Sequence, residues 1–291
     1  MNSPSAIILA AGKGTRMKSD LPKVVHPVGG RPMVCAVVDA CRAAGCERVV
    51  VVVGYKQELV RDALKSYTGV EFAVQEEQLG TGHAVMMAAP LFSAGRVEPP
   101  VEPPTAVGGS RTPRPPTSTP PTSVGGSTSS TIANEVFVLA GDGPLIREST
   151  LRTVLETHRR ARAACTLATS VIDDPAGYGR IARDAQGRFL AIVEHKNCTP
   201  EQLKVREVNP SYYCFNAPDL FESLKRVGRN PVSNEYYITD VPELLLRADK
   251  TVEVIPAVPP EDILSINTLE ELARVDAIFR SRSPRPAGRV A

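Results

Sequence analysis

Short apolar runs alternate with segments of helical periodicity along the first half of the chain. The apolar runs cover residues 6–10, 49–53 and 70–74, and the helical segments cover residues 33–44, 58–67 and 82–91. A fourth apolar run, "EVFVLAGD", ends at Asp142. This alternation predicts an α/β fold with a Rossmann-like, doubly wound and mainly parallel sheet. The run "RVVVVVGY" is apolar at successive positions, as expected for a central strand that helices cover on both faces.

The second half of the chain has a more antiparallel character. After a predicted helix over 148–162 and a strand over 166–172, the segment "YGRIARDAQGRFLAIVE" alternates with period two around a polar, glycine-containing turn. This pattern predicts a β-hairpin over residues 178–194. A strand over 208–215, helices from 218 and from 240, a strand over 252–257 and a final helix from 268 complete the prediction. We therefore expect a smaller antiparallel lobe on the main sheet.

Residues 96–131 have a different composition from the rest. They hold nine of the 26 prolines and almost no large apolar side chains, so they cannot build a core. Because the flanking segments continue one fold, we interpret 1–291 as a single domain and 96–131 as a disordered surface insertion. Its "PRPP" and "STPP" segments would permit weak docking of a protein partner, although a passive insertion is the favoured interpretation. Residues 282–291 are predicted to form a flexible C-terminal tail.

The net charge argues against two classes of partner. The chain has 34 Lys and Arg against 32 Asp and Glu, which gives no support for binding to nucleic acid or to a membrane surface. No apolar stretch approaches the roughly 18 residues that a membrane span requires. The six cysteines form no CxxC pair or zinc-type spacing, which favours reduced structural thiols in a soluble cytoplasmic protein.

The first strand leads into a glycine loop, "AAGKGTRM". Small residues let the backbone approach a ligand, and successive N–H groups can line an anion. The loop lacks the GKS or GKT ending of a P-loop and the third glycine of a GxGxxG loop. Arg16 and Lys23 flank it, and fixed cations beside a glycine turn suit a triphosphate whose pyrophosphate accumulates negative charge. The alternative for each cation is an ordinary solvated surface charge.

Seven segments together resemble a known family. The segment "LAAGKGTRMKSDLPKVVHPVGGRPM" is similar to the signature of sugar-1-phosphate nucleotidyltransferases, particularly the uridylyltransferase domain of bifunctional bacterial N-acetylglucosamine-1-phosphate uridylyltransferases. Six matching segments follow in the same order: "VQEEQLGTGHA", "VLAGDGPLI", "YGRI", "IVEHK", "EVN" and "NEYYITD". The resemblance implies the nucleotide-diphospho-sugar transferase fold, whose antiparallel lobe binds the sugar. It also implies Mg²⁺-dependent formation of UDP-N-acetylglucosamine and pyrophosphate from UTP and N-acetylglucosamine 1-phosphate.

The same resemblance implies a role for each of several residues. Arg16 and Lys23 would be catalytic, and Asp142 and Asn267 would hold the Mg²⁺ cofactor. The nucleotide-binding residues would be Leu9, Ala11, Gly12, Gly14, Gln75, Gly80 and Thr81, and the sugar-binding residues Gly179, Glu194, Asn209, Tyr237 and Thr239. Asn267 also precedes "TLEEL" and so has an alternative interpretation as a helix N-cap. His83 is interpreted as a packing residue and not as a catalyst.

Two positions depart from the family pattern in the sugar half. Ala140 stands where the bifunctional relatives have a tyrosine, and "NPS" at 209–211 replaces their usual "NTG". Loss of an aromatic wall would relax selectivity, so enzymes forming UDP-glucose or dTDP-glucose, or a cytidylyltransferase, remain alternatives. A non-catalytic, sugar-nucleotide-binding regulatory module is an alternative of a different class. No hexapeptide repeats follow the last predicted helix, so the acetyltransferase activity of the bifunctional relatives is not expected.

Overall fold

The computed structural model describes residues 3–93, 135–264 and 266–282. The predicted insertion at 96–131 therefore lies outside the described residues. Residues 283–291 of the predicted tail also lie outside them, whereas Arg282, the first residue of that tail, belongs to the last helix.

The central element is a mainly parallel sheet. In the described part of the chain the strands are β1 (Ser5–Ala10), β2 (Pro27–Val28), β3 (Arg31–Pro32), β4 (Arg48–Val53), β5 (Val70–Val74), β6 (Glu135–Ala140), β7 (Cys165–Val171), β8 (Gly179–Arg183), β9 (Phe189–Val193), β10 (Glu207–Asn216) and β11 (Val252–Ile255). The strands of the central sheet run in the spatial order β11-β7-β10-β6-β1-β4-β5, and β10 is antiparallel to both of its neighbours in this order. The predicted fold class is confirmed.

Helices cover both faces of this sheet. Within the described residues they are α1 (Met33–Ala43), α2 (Gln57–Ala63), α3 (Thr81–Ser93), α4 (Glu148–Ala161), α5 (Pro200–Leu203), α6 (Ala217–Leu224), α7 (Val241–Arg247) and α8 (Leu269–Arg282). None of them is long and apolar enough to cross a membrane. The helix predicted over 58–67 is shorter in the structure, because the chain turns after Ala63 and the Tyr67 hydroxyl donates a hydrogen bond to Asp39 on α1.

Alternate residues of the central strands supply two separate cores. On β1, Ile8 packs with α1 and α4, whereas its neighbour Ile7 packs on the opposite face with α3, α6 and α7. The valines of β4 divide in the same way. This explains why these strands are apolar at every position, since each face of the sheet meets a helical layer.

The predicted antiparallel lobe is also present. β8 and β9 form a hairpin, and β8 pairs with the beginning of β10, where Asn209 lies opposite Gly179. The pairing of β10 with β7 shifts register between Val208 and Tyr212. Pro210 has no N–H to donate at this bulge, and Ser211 has a left-handed φ of 66°. The bulge lets one strand serve both the main sheet and the lobe.

Candidate active site

A cleft runs along the carboxyl ends of β1 and β6, which is where open α/β sheets place their ligands. Three cavities of about 670, 350 and 270 Å³ lie along it, and Lys23 lines all three. The largest extends beneath the β8–β9 lobe to Glu194 and Asn209. Lys23 therefore marks the point where the three cavities meet.

The glycine loop after β1 forms one wall of the smallest cavity. Gly14 has a φ of 68°, and a Cβ there would lie 2.7 Å from the Cβ of Lys23. Glycine is thus required both by the left-handed conformation and by the close approach of the lysine. The loop closes in a 3₁₀ turn, in which Met17 donates its N–H to the Gly14 carbonyl over 2.9 Å. Gly12, Gly14 and the exposed Arg16 all line this cavity.

Three of the predicted functional side chains meet at the junction of the cavities. The Lys23 ammonium Nζ lies 2.5 Å from Asp142 Oδ2 and 2.9 Å from Asn267 Oδ1. Asp142 follows the carboxyl end of β6, and Asn267 precedes α8. The side chain of Lys23 is 13 % exposed and that of Asp142 26 % exposed. The contacts are therefore shielded from bulk water but open to the cleft.

A helix cap fixes the position of Asn267. The hydroxyl of Thr268 accepts a hydrogen bond from the Glu271 N–H, and the Glu271 carboxylate accepts from the N–H groups of Asn267 and Thr268. This is a capping box with Thr268 as the N-cap residue. The interpretation of Asn267 as the N-cap is therefore corrected by one position, and its side chain reaches Lys23 instead.

The oxygen atoms at this junction fit a hard divalent cation. Asp142 offers a carboxylate and Asn267 an amide oxygen, and a single ammonium group touches both, so one cation can bridge them. In the described part of the chain, no group of three or more His, Cys, Asp or Glu side chains is arranged to hold a metal ion. A Mg²⁺ ion with two protein ligands would take its other ligands from phosphate and water, as this ion commonly does.

All of the predicted nucleotide-binding residues line the 350 Å³ cavity. They are Leu9, Ala11, Gly12, Gly14, Gln75, Gly80 and Thr81.

Gln75 is a buried residue that lines this cavity and makes polar contacts with its neighbours. It is 4 % exposed, and its Nε2 donates to the Gly80 carbonyl over 3.0 Å and lies 3.1 Å from His83 Nδ1. His83 also stacks on Tyr236, which agrees with its predicted packing role. A second glutamine, Gln78, lines the cavity and donates to the Ala11 carbonyl over 3.0 Å. Sequence reasoning missed Gln78, although it lies in the same "QEEQ" segment.

The predicted sugar-binding residues occupy two layers. Gly179, Glu194 and Asn209 line the 670 Å³ cavity, whereas Tyr237 and Thr239 do not. Thr239 is 2 % exposed and donates its hydroxyl to Glu194 over 2.8 Å. Tyr237 donates its hydroxyl to Ser233 over 2.6 Å. Thr239, which does not line the cavity, therefore orients the Glu194 carboxylate through this hydrogen bond.

The Glu194 carboxylate lies in a poorly solvated, acidic environment. Burial raises its pKa, and the hydrogen bond from Thr239 opposes that change. Burial also raises the pKa of the neighbouring Asp240 to about 6, with further contributions from the charges of Glu194 and Glu243. A desolvated carboxylate of this kind is suited to accept hydrogen bonds from ligand hydroxyl or amide groups.

Asn209 is fixed at both ends of its amide. Its Nδ2 donates to the Tyr213 hydroxyl over 2.6 Å, and its Oδ1 accepts from the Ser211 N–H over 3.2 Å. Ser211 and Ala140 each line both the 670 Å³ and the 350 Å³ cavities. Both side chains are small, and they lie where the two cavities adjoin.

The chain is similar to curated proteins over almost its whole length. The chain is 40 % identical over 278 residues to the bifunctional protein GlmU of Pelotomaculum thermopropionicum, a match that covers 96 % of this chain and 52 % of that protein. It is 39 % identical over 285 residues to the bifunctional protein GlmU of Geobacter metallireducens, covering 98 % and 52 % of the two chains. The chain thus spans about half the length of these curated relatives. The predicted family resemblance is confirmed.

Solved structures show the same fold at much lower sequence identity. A protein described as a glucose-1-phosphate thymidylyltransferase from Bacillus anthracis aligns with a TM-score of 0.70 at 17 % identity, covering 98 % of both chains. A UDP-glucose pyrophosphorylase complexed with UDP-glucose aligns with a TM-score of 0.67, also at 17 % identity, covering 97 % of this chain and all of that one. Both are nucleotidyltransferases by description. Residues 6–192, well over half of the sequence, match the model of the MobA-like NTP transferase domain, and the chain belongs to that family.

Proposed function

We propose that this protein is a Mg²⁺-dependent sugar-1-phosphate nucleotidyltransferase that forms UDP-N-acetylglucosamine and pyrophosphate from UTP and N-acetylglucosamine 1-phosphate. The observation that carries the proposal is the meeting of Lys23, Asp142 and Asn267 where the three cavities join. A reaction between two anions needs concentrated positive charge at the point where they meet. The choice of UTP and N-acetylglucosamine 1-phosphate follows the sequence resemblance to the uridylyltransferase domains.

The proposed reaction needs no protein nucleophile. A phosphate oxygen of the sugar phosphate attacks the α-phosphorus of UTP, the bond to the bridging oxygen of pyrophosphate breaks, and pyrophosphate leaves with the electron pair. Because the attacking phosphate is already an anion at neutral pH, no general base is required. Asp142 and Asn267 would hold Mg²⁺, which supplies charge neutralisation at the phosphates. Lys23 and Arg16 would stabilise the negative charge that develops on the leaving pyrophosphate.

Recognition of the two substrates is divided between the two larger cavities. Gln75 has an amide that can both donate and accept, which suits the imide edge of uracil. On the other side, the Gly179 backbone N–H, the Glu194 carboxylate and the Asn209 amide converge on the larger cavity. An N-acetylhexosamine presents hydroxyl groups and an amide, so these groups would orient it.

Ala140 supports one alternative within the same reaction class. Its small side chain leaves room at the junction of the two larger cavities, so another hexose 1-phosphate, as in UDP-glucose or dTDP-glucose formation, is the second candidate. A non-catalytic regulatory module is less well supported, because such a module has no need of the charged junction.

A substrate panel tests the proposal. Pyrophosphate release would be measured with UTP, dTTP and CTP, each paired with N-acetylglucosamine 1-phosphate and glucose 1-phosphate, with Mg²⁺ and with EDTA. We expect the highest kcat/KM for UTP with N-acetylglucosamine 1-phosphate and no release with EDTA or in an Asp142→Asn variant. Preference for another pair would replace the substrate assignment. Tight UTP binding with no turnover of any pair would favour the regulatory module.

A further inference from the structure

The ammonium group of Lys23 lies where a divalent cation would be expected. It contacts Asp142 Oδ2 at 2.5 Å and Asn267 Oδ1 at 2.9 Å, and these are the two oxygen-bearing side chains proposed to hold the metal ion. We propose that Lys23 occludes the metal position in the nucleotide-free protein and leaves it when the nucleotide binds. The inference rests on the proposed function for the assignment of Asp142 and Asn267 as metal-binding side chains.

The geometry makes lysine and metal competitors for the same place. A compact ammonium group has no acceptor capacity, so its close approach to both oxygens satisfies them as an ion would. A divalent cation bound to the same two oxygens would lie within a few ångströms of Nζ. Repulsion between two cations at that distance, in a partly shielded site, requires Lys23 to move away.

The cleft contains a second position that the Lys23 ammonium group can occupy. Lys23 also lines the cavity formed by Gly12, Gly14 and Arg16, and this glycine loop with its cations is the part of the cleft that suits a triphosphate. Its flexible four-carbon stem can turn the ammonium group from the carboxylate to a phosphate without movement of the backbone. Lys23 would thus exchange Asp142 for a phosphate group at the moment when the metal ion takes its place.

This exchange couples the binding of metal and nucleotide. Metal alone must displace an ion pair and leave the ammonium without an acidic partner, whereas metal arriving with a triphosphate supplies a new partner. Each ligand should therefore raise the affinity for the other by the same factor, since coupling of binding free energies is reciprocal. Removal of the lysine should raise metal affinity in the absence of nucleotide while it impairs the reaction.

The test is Mn²⁺ binding to the nucleotide-free protein, measured by electron paramagnetic resonance of the free ion. Lys23→Met, which keeps an unbranched apolar stem, and Lys23→Ala should both bind Mn²⁺ at least about tenfold more tightly than the wild type, the scale of one charge-assisted contact. The double variant Lys23→Met with Asp142→Asn should lose the gain, which locates the ion. Thermal unfolding of each variant verifies that it is folded.

Arg16→Met is the matched control. It removes a positive charge from the same cleft, but Arg16 makes no ion pair within the described residues, so Mn²⁺ affinity should rise less than about threefold. Equal Mn²⁺ affinity in the wild type and both Lys23 variants would refute the proposal. An equal gain in Arg16→Met would refute it too, because general electrostatics would then suffice. Failure of the proposed function would appear separately, as absence of pyrophosphate release in the substrate panel.

Discussion

Replacement of Gly80 by alanine should both destabilise the protein and damage the nucleotide cavity. Gly80 has a φ of 99°, and a Cβ there would lie 2.5 Å from the Tyr236 carbonyl oxygen and 2.8 Å from the Glu235 Cβ. The Tyr236 segment cannot easily withdraw. The Tyr236 N–H donates to the Leu79 carbonyl and its own carbonyl accepts from the Gly82 N–H, each over 2.8 Å.

The expected magnitude follows from these contacts. A left-handed conformation costs a residue with a Cβ about 1–2 kcal/mol. Displacement of Tyr236 would weaken the two backbone hydrogen bonds, at about 1 kcal/mol each. The free energy of unfolding should therefore fall by about 3 kcal/mol. For a domain of this size the melting temperature should fall by about 6 °C.

Thermal unfolding and steady-state kinetics together provide the assay. Because Gly80 lines the cavity with Gln75, the KM for UTP should rise more than the KM for the sugar phosphate. Gly187→Ala is the control, since Gly187 also has a positive φ, 79°, but a Cβ there would meet nothing within 4 Å. The free energy of unfolding of Gly187→Ala should fall only by the cost of the left-handed conformation, about 1–2 kcal/mol. If Gly80→Ala were no less stable than Gly187→Ala, the steric argument would be wrong.

Two further predictions concern charge. Lys23→Ala should lower turnover by roughly two or more orders of magnitude, the scale seen when one preorganised stabilising group is lost, and near-normal turnover in pyrophosphate release would remove Lys23 from the mechanism. Burial lowers the pKa of His158 to about 4, so between pH 6.5 and 4 the unfolded chain binds a proton that the native state does not, and stability falls as the pH falls through this window. The control is His158→Gln, which keeps a hydrogen-bonding group near Thr166 but does not titrate. Relative to this variant, the free energy of unfolding of the wild type in urea should fall by about 1.6 kcal/mol between pH 6.5 and pH 5, and parallel losses would contradict the assignment.

Local patterns were enough to predict most of the secondary structure. Apolar runs such as 49–53 become strands because both sheet faces are covered, and the hairpin over 178–194 follows from period-two alternation. The errors have two sources: a tertiary contact can set the end of an element, and a very short element shows no periodicity. Tyr67 leaves the predicted helical path to bond Asp39, and the four-residue helix α5 is too short to show a period.

The candidate site was predictable in composition but not in arrangement. The glycine loop with Arg16 and Lys23 is a local signal, because small residues and cations adjacent in sequence remain adjacent in space. Three of the five residues predicted for the sugar site, Gly179, Glu194 and Asn209, line one cavity. Only packing places Thr239 against Glu194 and brings Gln78 to the neighbouring cavity. The orientation of a side chain depends on neighbours from other elements, which a single sequence does not reveal.

The sequence by itself determined the order of strands and helices, the mainly parallel sheet and the family to which the chain belongs, because periodicity and short motifs are local properties. Only the tertiary structure decided that Lys23 meets Asp142, 119 positions away, and Asn267, 244 positions away. That meeting depends on the crossover of β6 beside β1 and on the cap at Thr268 that holds Asn267 in place. Contacts between positions so far apart exist only once the whole sheet has formed.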